Sequence, residues 1–244
     1  MNFFSLFKRK IIYLLTNKID IDKDKFGKNI SLDYLFKKYE TDKSNAIHGF
    51  TKYYTNHLNR LKNKRLNFLE IGSAGGGSAA AFVHYFDKSN VFCLDVNLTL
   101  VKYKSDKINF FGLDSSNSKM LYRFLKNIEE RFSVKKFDVI IDDGSHIQSD
   151  QLNALNFFYK YVGMGGFYII EDYKFPNYFN HLNDVNDLKI DELIKKINHR
   201  ENINSKLITE NTIRNIINNN KKIYEYKGNT ENSDIVFFEK KIIS

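Results

Sequence analysis

Apolar and polar positions alternate along this chain in blocks that predict an α/β domain. Short apolar runs typical of buried strands occupy Leu66–Ile71, Val91–Asp95, Ile108–Phe111, Phe137–Asp142 and Phe167–Glu171. Segments with helical spacing precede or separate them at Ser31–Glu40, Phe50–Leu61, Ser78–Phe86, Lys119–Phe132 and Ser149–Tyr161. Strands that alternate with helices in this way predict a three-layer fold, with a mostly parallel sheet between two layers of helices.

The C-terminal part of the chain changes character. After a polar, Asn-rich region with helical spacing at Leu188–Ile197 and Thr212–Ile217, two strands are predicted at Lys222–Tyr226 and Asp234–Glu239. Gly228-Asn229 supplies turn chemistry between them, so this pair is predicted to be a hairpin. The sheet would then have seven strands with an antiparallel edge. We expect residues 1–62 to form a helical extension or lid, and residues 63–244 to form the main domain.

The N-terminal segment Phe3–Leu15 is apolar but is interrupted by Lys8-Arg9-Lys10. It lacks the features of a signal peptide or a spanning helix, so we expect no stable membrane insertion and a cytoplasmic location. Two interpretations of the segment stay open: an amphipathic helix that touches a membrane surface, or a helix packed on the domain or on a partner subunit. The one cysteine, Cys93, excludes an internal disulfide and fits a reducing compartment.

The chain is basic, with a formal net charge of +9. The lysines and arginines are spread along the sequence, and no basic run with interleaved aromatic residues stands out. We therefore predict no nucleic-acid partner. The charge is compatible with a mild attraction for an anionic substrate, such as a nucleotide-activated sugar.

A glycine-rich turn, Gly72–Gly77, follows the first predicted strand. Dinucleotide sites use G-x-G-x-x-G to hold a pyrophosphate, but Ala74 stands at the second glycine position and Glu70 precedes the turn. A carboxylate there suits a ligand with an amino group or a sulfonium. With Asp95 at the next strand end, placed to accept ribose hydroxyls, the pattern predicts S-adenosylmethionine (SAM). The cofactor-binding candidates from this region are Glu70, Gly72, Gly76, Ser78, Asp95, Asp114 and Ser115.

Two later strands end in pairs of acids. Asp142 and Asp143 close one strand, three residues before His146, and Glu171 and Asp172 close the next. Parallel strands end at the same sheet edge, where open α/β sheets place ligands. Because gathered carboxylates are costly without a compensating cation or substrate, this pattern predicts a metal-assisted proton-transfer site. Adjacent strand residues face opposite ways, which favours Asp143 for the metal and turns Asp142 toward the cofactor.

These motifs together resemble a family of class I SAM-dependent methyltransferases. The family includes macrolide and rhamnosyl sugar O-methyltransferases and the protein long labelled a cephalosporin hydroxylase. The resemblance runs from about Tyr34 to Tyr173, through the segments Lys38–Lys43, His48–Tyr54, Leu69–Gly72, Leu94–Asp95, Ile141–His146 and Ile170–Asp172. Glu40 stands where the family often carries glycine, and Leu113–Asn117 departs from its Gly-Asp-Gln-type motif. The implied fold is a Rossmann-like class I methyltransferase.

The resemblance also implies roles for individual residues. Asp143, Glu171 and Asp172 would hold a divalent cation, Mg²⁺ first and Mn²⁺ or Fe²⁺ as competitors, and His146 would be the general base. His48 would line the SAM site, and Lys43 would belong either to a lid over the SAM pocket or to a helix-end turn with solvated charges. The implied reaction is O-methylation of a sugar hydroxyl, on a nucleotide-linked sugar or a surface-glycan precursor, within polysaccharide biosynthesis. The alternatives are a natural-product hydroxyl, a phosphate-derived oxygen in capsule modification, or a SAM-binding accessory protein without turnover. Self-association into a homo-oligomer is also expected.

Overall fold

The computed structural model describes residues 3–242, which divide into two compact units that meet in sequence at Val134 and Lys135. The first unit contains α1 (Phe3–Leu15), β1 (Ile19–Asp20), α2 (Leu32–Lys38), α3 (Thr51–Leu58), β2 (Leu66–Ile71), α4 (Gly77–Tyr85), β3 (Ser89–Asp95), β4 (Tyr103–Lys104), β5 (Ile108–Gly112) and α5 (Ser118–Phe132). Short 3₁₀ turns lie at Ile21–Lys23, Asn59–Leu61 and Leu98–Leu100. The predicted helices and strands of this region are confirmed to within a few residues.

Strands β2, β3 and β5 form the sheet of the first unit, in the order β5-β3-β2. All pairings are parallel, so Ile71 lies opposite Leu94, and Asp95 lies opposite Gly112. This register brings the ends of the three strands, and the loops that follow them, to one edge. A separate pair, β1 with β4, is also parallel and was not predicted, because two residues are too few to show an alternating pattern.

Helix α2 shows why the local sequence folds as it does. The Ser31 hydroxyl accepts a hydrogen bond from the Tyr34 amide at 3.2 Å and so caps the N-terminus of the helix. Leu35 and Phe36 are fully buried, and the Phe36 ring packs edge-on against Phe82 of α4 at 5.6 Å between centroids. An aromatic core therefore joins the early helices to α4.

Helix α1 packs on its own unit along one side. Leu6 is buried, Arg9 Nη1 donates to the Val96 carbonyl at 3.0 Å, and the Tyr13 ring lies 6.1 Å from Phe110. None of the helices in residues 3–242 combines the length and apolarity needed to cross a bilayer.

The second unit contains β6 (Phe137–Asp142), α6 (Gln148–Phe158), β7 (Val162–Glu171), α7 (Phe175–Tyr178), α8 (Ile190–His199), α9 (Glu210–Asn219), β8 (Asn220–Lys227) and β9 (Asp234–Lys240). Its strand order is β6-β7-β9-β8, with β6 and β7 parallel and β9 antiparallel to both neighbours. The seven longer strands in the described part of the chain are thus mostly parallel with an antiparallel C-terminal hairpin, as predicted. Two further 3₁₀ turns lie at Tyr159–Tyr161 and Asn180–Leu182.

Strand β7 begins earlier than predicted. It starts at Val162, five residues before the expected Phe167, and its register with β6 shifts between Phe137 and Val139. The added segment includes Gly165 in the left-handed region at φ +68°, which is unusual for a regular strand. The predicted division at residue 62 between a lid and a main domain stays a prediction.

Candidate cofactor and metal sites

The glycine-rich turn after β2 is built from closely packed backbone. Gly72 has φ +81°, and its amide donates to the Leu94 carbonyl at 2.8 Å. Gly76 has φ +77°, and a Cβ there would lie 2.8 Å from the Phe110 ring. A Cβ on Gly77 would lie only 2.3 Å from the Tyr39 carbonyl oxygen. Glycine is needed at 76 for conformation and space, and at 77 for space alone.

Glu70 lies at the end of β2 and is 1% exposed. One of its carboxylate oxygens accepts a hydrogen bond from the Ser78 hydroxyl, and the other lies 4.0 Å from Cys93 Sγ. Burial, and then the Glu70 charge, raise the pKa of the Cys93 thiol well above its usual value. Two predicted cofactor residues, Glu70 and Ser78, are therefore in contact, and they tie the strand end to the start of α4.

Asp95 closes the same turn from the end of β3. Its Oδ2 accepts from the Ala74 amide at 2.8 Å, and its Oδ1 accepts from the Asn97 amide at 2.6 Å. The bond to Ala74 helps to hold that residue at φ +42°, an uncommon conformation for a side chain other than glycine. Because a carboxylate has about four acceptor positions, Asp95 keeps capacity for the two ribose hydroxyls predicted to bind it.

Asp114 follows β5 and is partly buried, as is Ser115 beside it. Its Oδ1 accepts from the Ser116 hydroxyl at 2.7 Å and from the Ser116 amide at 3.0 Å. Burial raises the pKa of Asp114 and the hydrogen bonds from Ser116 lower it, and its pKa lies below the ordinary value. Asn117 then caps α5 by accepting from the Met120 amide.

The geometry at the end of α2 shows why glycine would suit position 40, where this chain has Glu40. The Thr41 amide donates to the Phe36 carbonyl at 3.0 Å, and the Glu40 amide donates to the Lys37 carbonyl at 3.2 Å. This bonding pattern is a Schellman motif, which places its C′ residue in the left-handed region. Glu40 has φ +54° and lies 2.8 Å from Lys102 Nζ. The chain therefore retains the turn geometry that glycine would favour, with a glutamate in that position.

Lys43 and His48, both predicted near the cofactor, lie in the hydrogen-bonded loop that follows this turn. Lys43 is 1% exposed, and its carbonyl accepts from the amides of Phe50 and Thr51 at 3.1 and 3.2 Å. His48 Nε2 lies 3.6 Å from Asp42 Oδ2, and its amide donates to the Asp42 carbonyl. The loop is thus held by its own backbone bonds, and the two cofactor roles stay predictions.

In the second unit, Asp143, His146 and Asp172 come together. Each offers one potential ligand atom, and the three atoms lie within 4.8 Å of one another. His146 Nε2 is 3.7 Å from Asp143 Oδ1. Asp143 and His146 belong to the turn after β6, whereas Asp172 directly follows β7. The pairing of β6 with β7 brings these residues together from segments that are distant in sequence.

Both turns use an uncommon backbone conformation. His146 has φ +57° and Asp172 has φ +50°, in the left-handed region that glycine adopts most easily. The conformation at Asp172 is held by the Phe175 amide, which donates to the Asp172 carbonyl at 2.9 Å. The Phe175 ring in turn packs 4.8 Å from the His146 imidazole, centroid to centroid. Phe175 thus contacts both sides of the cluster, and no sequence pattern marked it for this role.

An ionic network around the buried Asp234 holds the segment after Asp172. Asp234 is 2% exposed and accepts from Tyr178 Oη at 2.7 Å and from Lys227 Nζ at 2.9 Å, with Lys174 Nζ at 3.5 Å. The Tyr173 hydroxyl donates to Glu225 Oε2 at 2.7 Å. Helix α7 is therefore fastened to the C-terminal hairpin, a connection between residues more than fifty positions apart that the sequence did not reveal.

The remaining two acids are deeply buried. Glu171 is 2% exposed, and in the described residues it does not join the three-residue group, so its role as a ligand stays a prediction. Asp142 is 5% exposed and lies 3.4 Å from the Tyr168 hydroxyl. Burial, and then the charge of Asp143, raise the pKa of Asp142 to about 7.

The donor set of the cluster fits a divalent cation. Two carboxylates supply the hard oxygen ligands that Mg²⁺ prefers, while an imidazole nitrogen is also acceptable to Mn²⁺ and Fe²⁺. Asp172 is only 5% exposed, and a cation would offset the cost of burying its charge close to a second carboxylate.

The chain is similar in sequence and in fold to known proteins. Over 157 residues the chain is 31% identical to L-olivosyl-oleandolide 3-O-methyltransferase of Streptomyces antibioticus, an alignment covering 58% of this chain and 36% of the relative. It is 30% identical over 148 residues to mycinamicin VI 2''-O-methyltransferase of Micromonospora griseorubida, covering 58% and 35%. The chain is therefore similar in sequence to these two O-methyltransferases over a little more than half of its length. No family model matches the chain.

Among solved structures, the chain resembles the MycE methyltransferase of mycinamycin biosynthesis in complex with Mg, SAH (S-adenosylhomocysteine) and mycinamycin VI. The TM-score is 0.66 at 25% identity, over 87% of this chain and 55% of that one. The predicted Rossmann-like methyltransferase fold and the predicted family resemblance are confirmed. The chain spans only about a third of the length of the curated relatives that it matches.

Proposed function

We propose that this chain is a SAM-dependent O-methyltransferase that uses a divalent cation to methylate a hydroxyl of a sugar. The observation that carries the proposal is the meeting of Asp143, His146 and Asp172 within 4.8 Å. Carboxylates and an imidazole in one place serve proton removal, which is the part of such a reaction that the protein must supply. A structural turn would not need all three.

The first unit would bind the methyl donor. SAM carries its methyl group on a sulfonium and is therefore already activated for transfer. Asp95 would accept from the ribose hydroxyls, and Asp114 and Ser115 would contact the adenine. The turn from Gly72 to Gly76 lets backbone approach the ligand closely. Glu70 and Ser78, which are bonded to each other, would fix the start of α4 beside the amino-acid end of the donor.

Asp143, Asp172 and the neighbouring Glu171 would together hold the cation. When bound, such a cation lowers the pKa of an acceptor hydroxyl, which is otherwise a poor nucleophile near neutral pH. The Phe175 amide restrains the backbone of Asp172, which keeps that ligand in place. Asp142 would turn toward the cofactor.

His146 would be the general base, taking the acceptor proton at Nε2. Asp143 Oδ1, at 3.7 Å, would stabilise the resulting imidazolium, and Phe175 restricts the orientation of the ring. Positioned proton transfer of this kind generally accelerates a reaction by about 10²–10⁴-fold. The distances also permit a second role, in which His146 is itself a ligand of the cation. Metal affinity separates the two roles, because a ligand is needed for binding and a base is not.

For the acceptor we propose a nucleotide-linked sugar or a surface-glycan precursor, in keeping with the net charge of +9. The relatives favour a second candidate, since they are named for methylation of sugars on natural products. A phosphate-derived oxygen in capsule modification and a SAM-binding accessory role without turnover are further alternatives. We also propose that the protein works as a homo-oligomer.

The test is an SAH-release assay with SAM, Mg²⁺ or Mn²⁺, and a panel of nucleotide sugars and glycosylated natural products. We expect turnover that EDTA abolishes and added metal restores. His146→Ala should lose turnover by about 10²-fold or more while it keeps SAM binding, measured by calorimetry. His199→Ala is the matched control, because His199 is exposed and pairs with Glu201 outside the cluster. It should keep full activity.

Each result has a distinct meaning. Turnover that resists EDTA would remove the metal from the proposal. A His146→Ala variant that binds Mn²⁺ as the wild type does supports the base role, whereas loss of Mn²⁺ binding supports the ligand role. SAM binding without SAH release on any acceptor would favour the accessory protein.

A further inference from the structure

Helix α1 exposes a continuous apolar surface. Five of its large apolar side chains are between 41% and 80% exposed, which we call the outer stripe: Phe4, Phe7, Ile11, Leu14 and Leu15. At 3.6 residues per turn, these positions fall within an arc of about 100°. The opposite side of the helix carries Leu6, Arg9 and Tyr13, which contact the rest of the first unit. The helix is thus anchored on one side and apolar on the other.

Basic residues frame the outer stripe. On the same helical projection, Lys8 lies just beyond one edge of the stripe and Lys10 just beyond the other, and both are exposed. Lys18 follows the helix, and the sequence has no acidic residue before Asp20. Long basic side chains beside an apolar face can extend their charges toward anionic groups while their methylenes stay in apolar surroundings.

We propose that α1 is an interfacial anchor that lays its outer stripe into the surface of a membrane rich in anionic phospholipids. Helix α1 has 13 residues and is therefore about 20 Å long, shorter than the roughly 30 Å hydrocarbon core, so it lies in the plane of the surface. Apolar burial and attraction of the lysines to lipid phosphates act together in such helices.

The charges beside the outer stripe favour an anionic membrane surface over a second copy of the chain as its binding partner. A two-fold contact between outer stripes would bring Lys8 and Lys10 close to their own counterparts, with no acid in the helix to compensate. An anionic lipid surface is complementary to the same charges. The helix therefore favours lipid over self-association through this face.

The experiment is co-sedimentation of the full chain with vesicles of phosphatidylcholine and phosphatidylglycerol at 3:1, and with vesicles of phosphatidylcholine alone. We expect binding to the anionic vesicles that weakens by roughly tenfold or more in high salt or without phosphatidylglycerol. Ile11→Ser/Leu14→Ser/Leu15→Ser and Lys8→Glu/Lys10→Glu should each reduce the partition coefficient by at least about tenfold.

Two matched controls separate the helix from general surface chemistry. Met164→Ser removes an exposed apolar side chain of β7, and Lys119→Glu/Lys195→Glu makes the same charge change on exposed lysines of α5 and α8. Both should bind vesicles as the wild type does, and circular dichroism should show that every variant is folded. Equal loss in the controls, binding that ignores lipid charge, or absence of binding would overturn the proposal. The proposal would also be overturned if light scattering showed a wild-type dimer that the Ile11/Leu14/Leu15 substitutions convert to a monomer.

Discussion

Replacing Gly77 by alanine tests the close approach between α4 and the end of α2. The added Cβ would lie 2.3 Å from the Tyr39 carbonyl oxygen, about 0.7 Å inside the 3.0 Å that real Cβ contacts respect. The clash is with backbone, so no side chain can rotate away, and one helix must shift. Overpacking of this kind costs about 1–3 kcal/mol. Alanine recovers about 0.5–1 kcal/mol of helix propensity, which leaves a net loss of about 1 kcal/mol and at most about 2.5 kcal/mol.

The assay is thermal unfolding followed by circular dichroism, with urea unfolding as the equilibrium measure. For a chain of this length, a loss of about 1 kcal/mol lowers Tm by about 2–4 °C. Gly75→Ala is the control from the same turn, since its Cβ would meet the nearest atom, the Leu100 carbonyl oxygen, at an ordinary 3.7 Å. It should leave stability unchanged or raise it by up to about 1 kcal/mol. A Gly77→Ala protein as stable as the wild type, or a Gly75→Ala protein equally weakened, would refute the packing argument.

Four further predictions concern stability and reactivity. Asp234→Asn should lower the free energy of unfolding by about 1–3 kcal/mol in urea, because this buried carboxylate accepts hydrogen bonds from Tyr178 and Lys227 and pairs with Lys174. Glu130→Gln, in an exposed pair, should change it by less than about 0.5 kcal/mol. Burial, and then a neighbouring lysine, lower the pKa of Lys240 from 10.5 to about 8. Between these two pH values the unfolded chain binds this proton and the folded chain does not, so the free energy of unfolding should rise from pH 8 to pH 10.5. Lys240→Met should remove that rise, which urea titrations at pH 7.5 and 9.5 would detect; parallel slopes for both proteins would contradict the assignment. Cys93 is fully buried with a raised pKa, so it should react with a disulfide reagent only when the protein unfolds, and rapid labelling of the native protein would disprove its burial. Ser31→Ala should cost about 1 kcal/mol in the same urea assay through loss of the α2 N-cap, and an unchanged midpoint would show that water replaces the cap.

Elements with strong local signals were predictable from the sequence. Strands β2 and β6 have the predicted bounds, because each is an apolar run flanked by lysines on one side and by acids or glycine on the other. The start of β7 was not predictable, since Gly163, Gly165 and Gly166 carry no strand propensity and the first strand residue, Val162, is set by its pairing with Phe137.

At the candidate metal site, too, some features were predictable from the sequence and others were not. Asp143, His146 and Asp172 were found because acids at the ends of parallel strands leave a mark in the sequence. The contact of Phe175 with His146 was not predicted, because it depends on a turn whose geometry no local pattern encodes. Asp234 was missed because its partners Lys174 and Tyr178 are far away in sequence. Side-chain contacts across such separations depend on the completed fold.

The left-handed backbone at His146 and Asp172 lowers the stability of the folded protein. A residue other than glycine in the left-handed region costs about 1–3 kcal/mol, so each of these two positions reduces the thermal stability of the fold. Laboratory evolution for thermostability alone should therefore enrich glycine or asparagine at 146 and 172. Selection that also demands the proposed methyl transfer should retain histidine and aspartate, and the difference in Tm between the two evolved populations would measure the stability that these two residues cost.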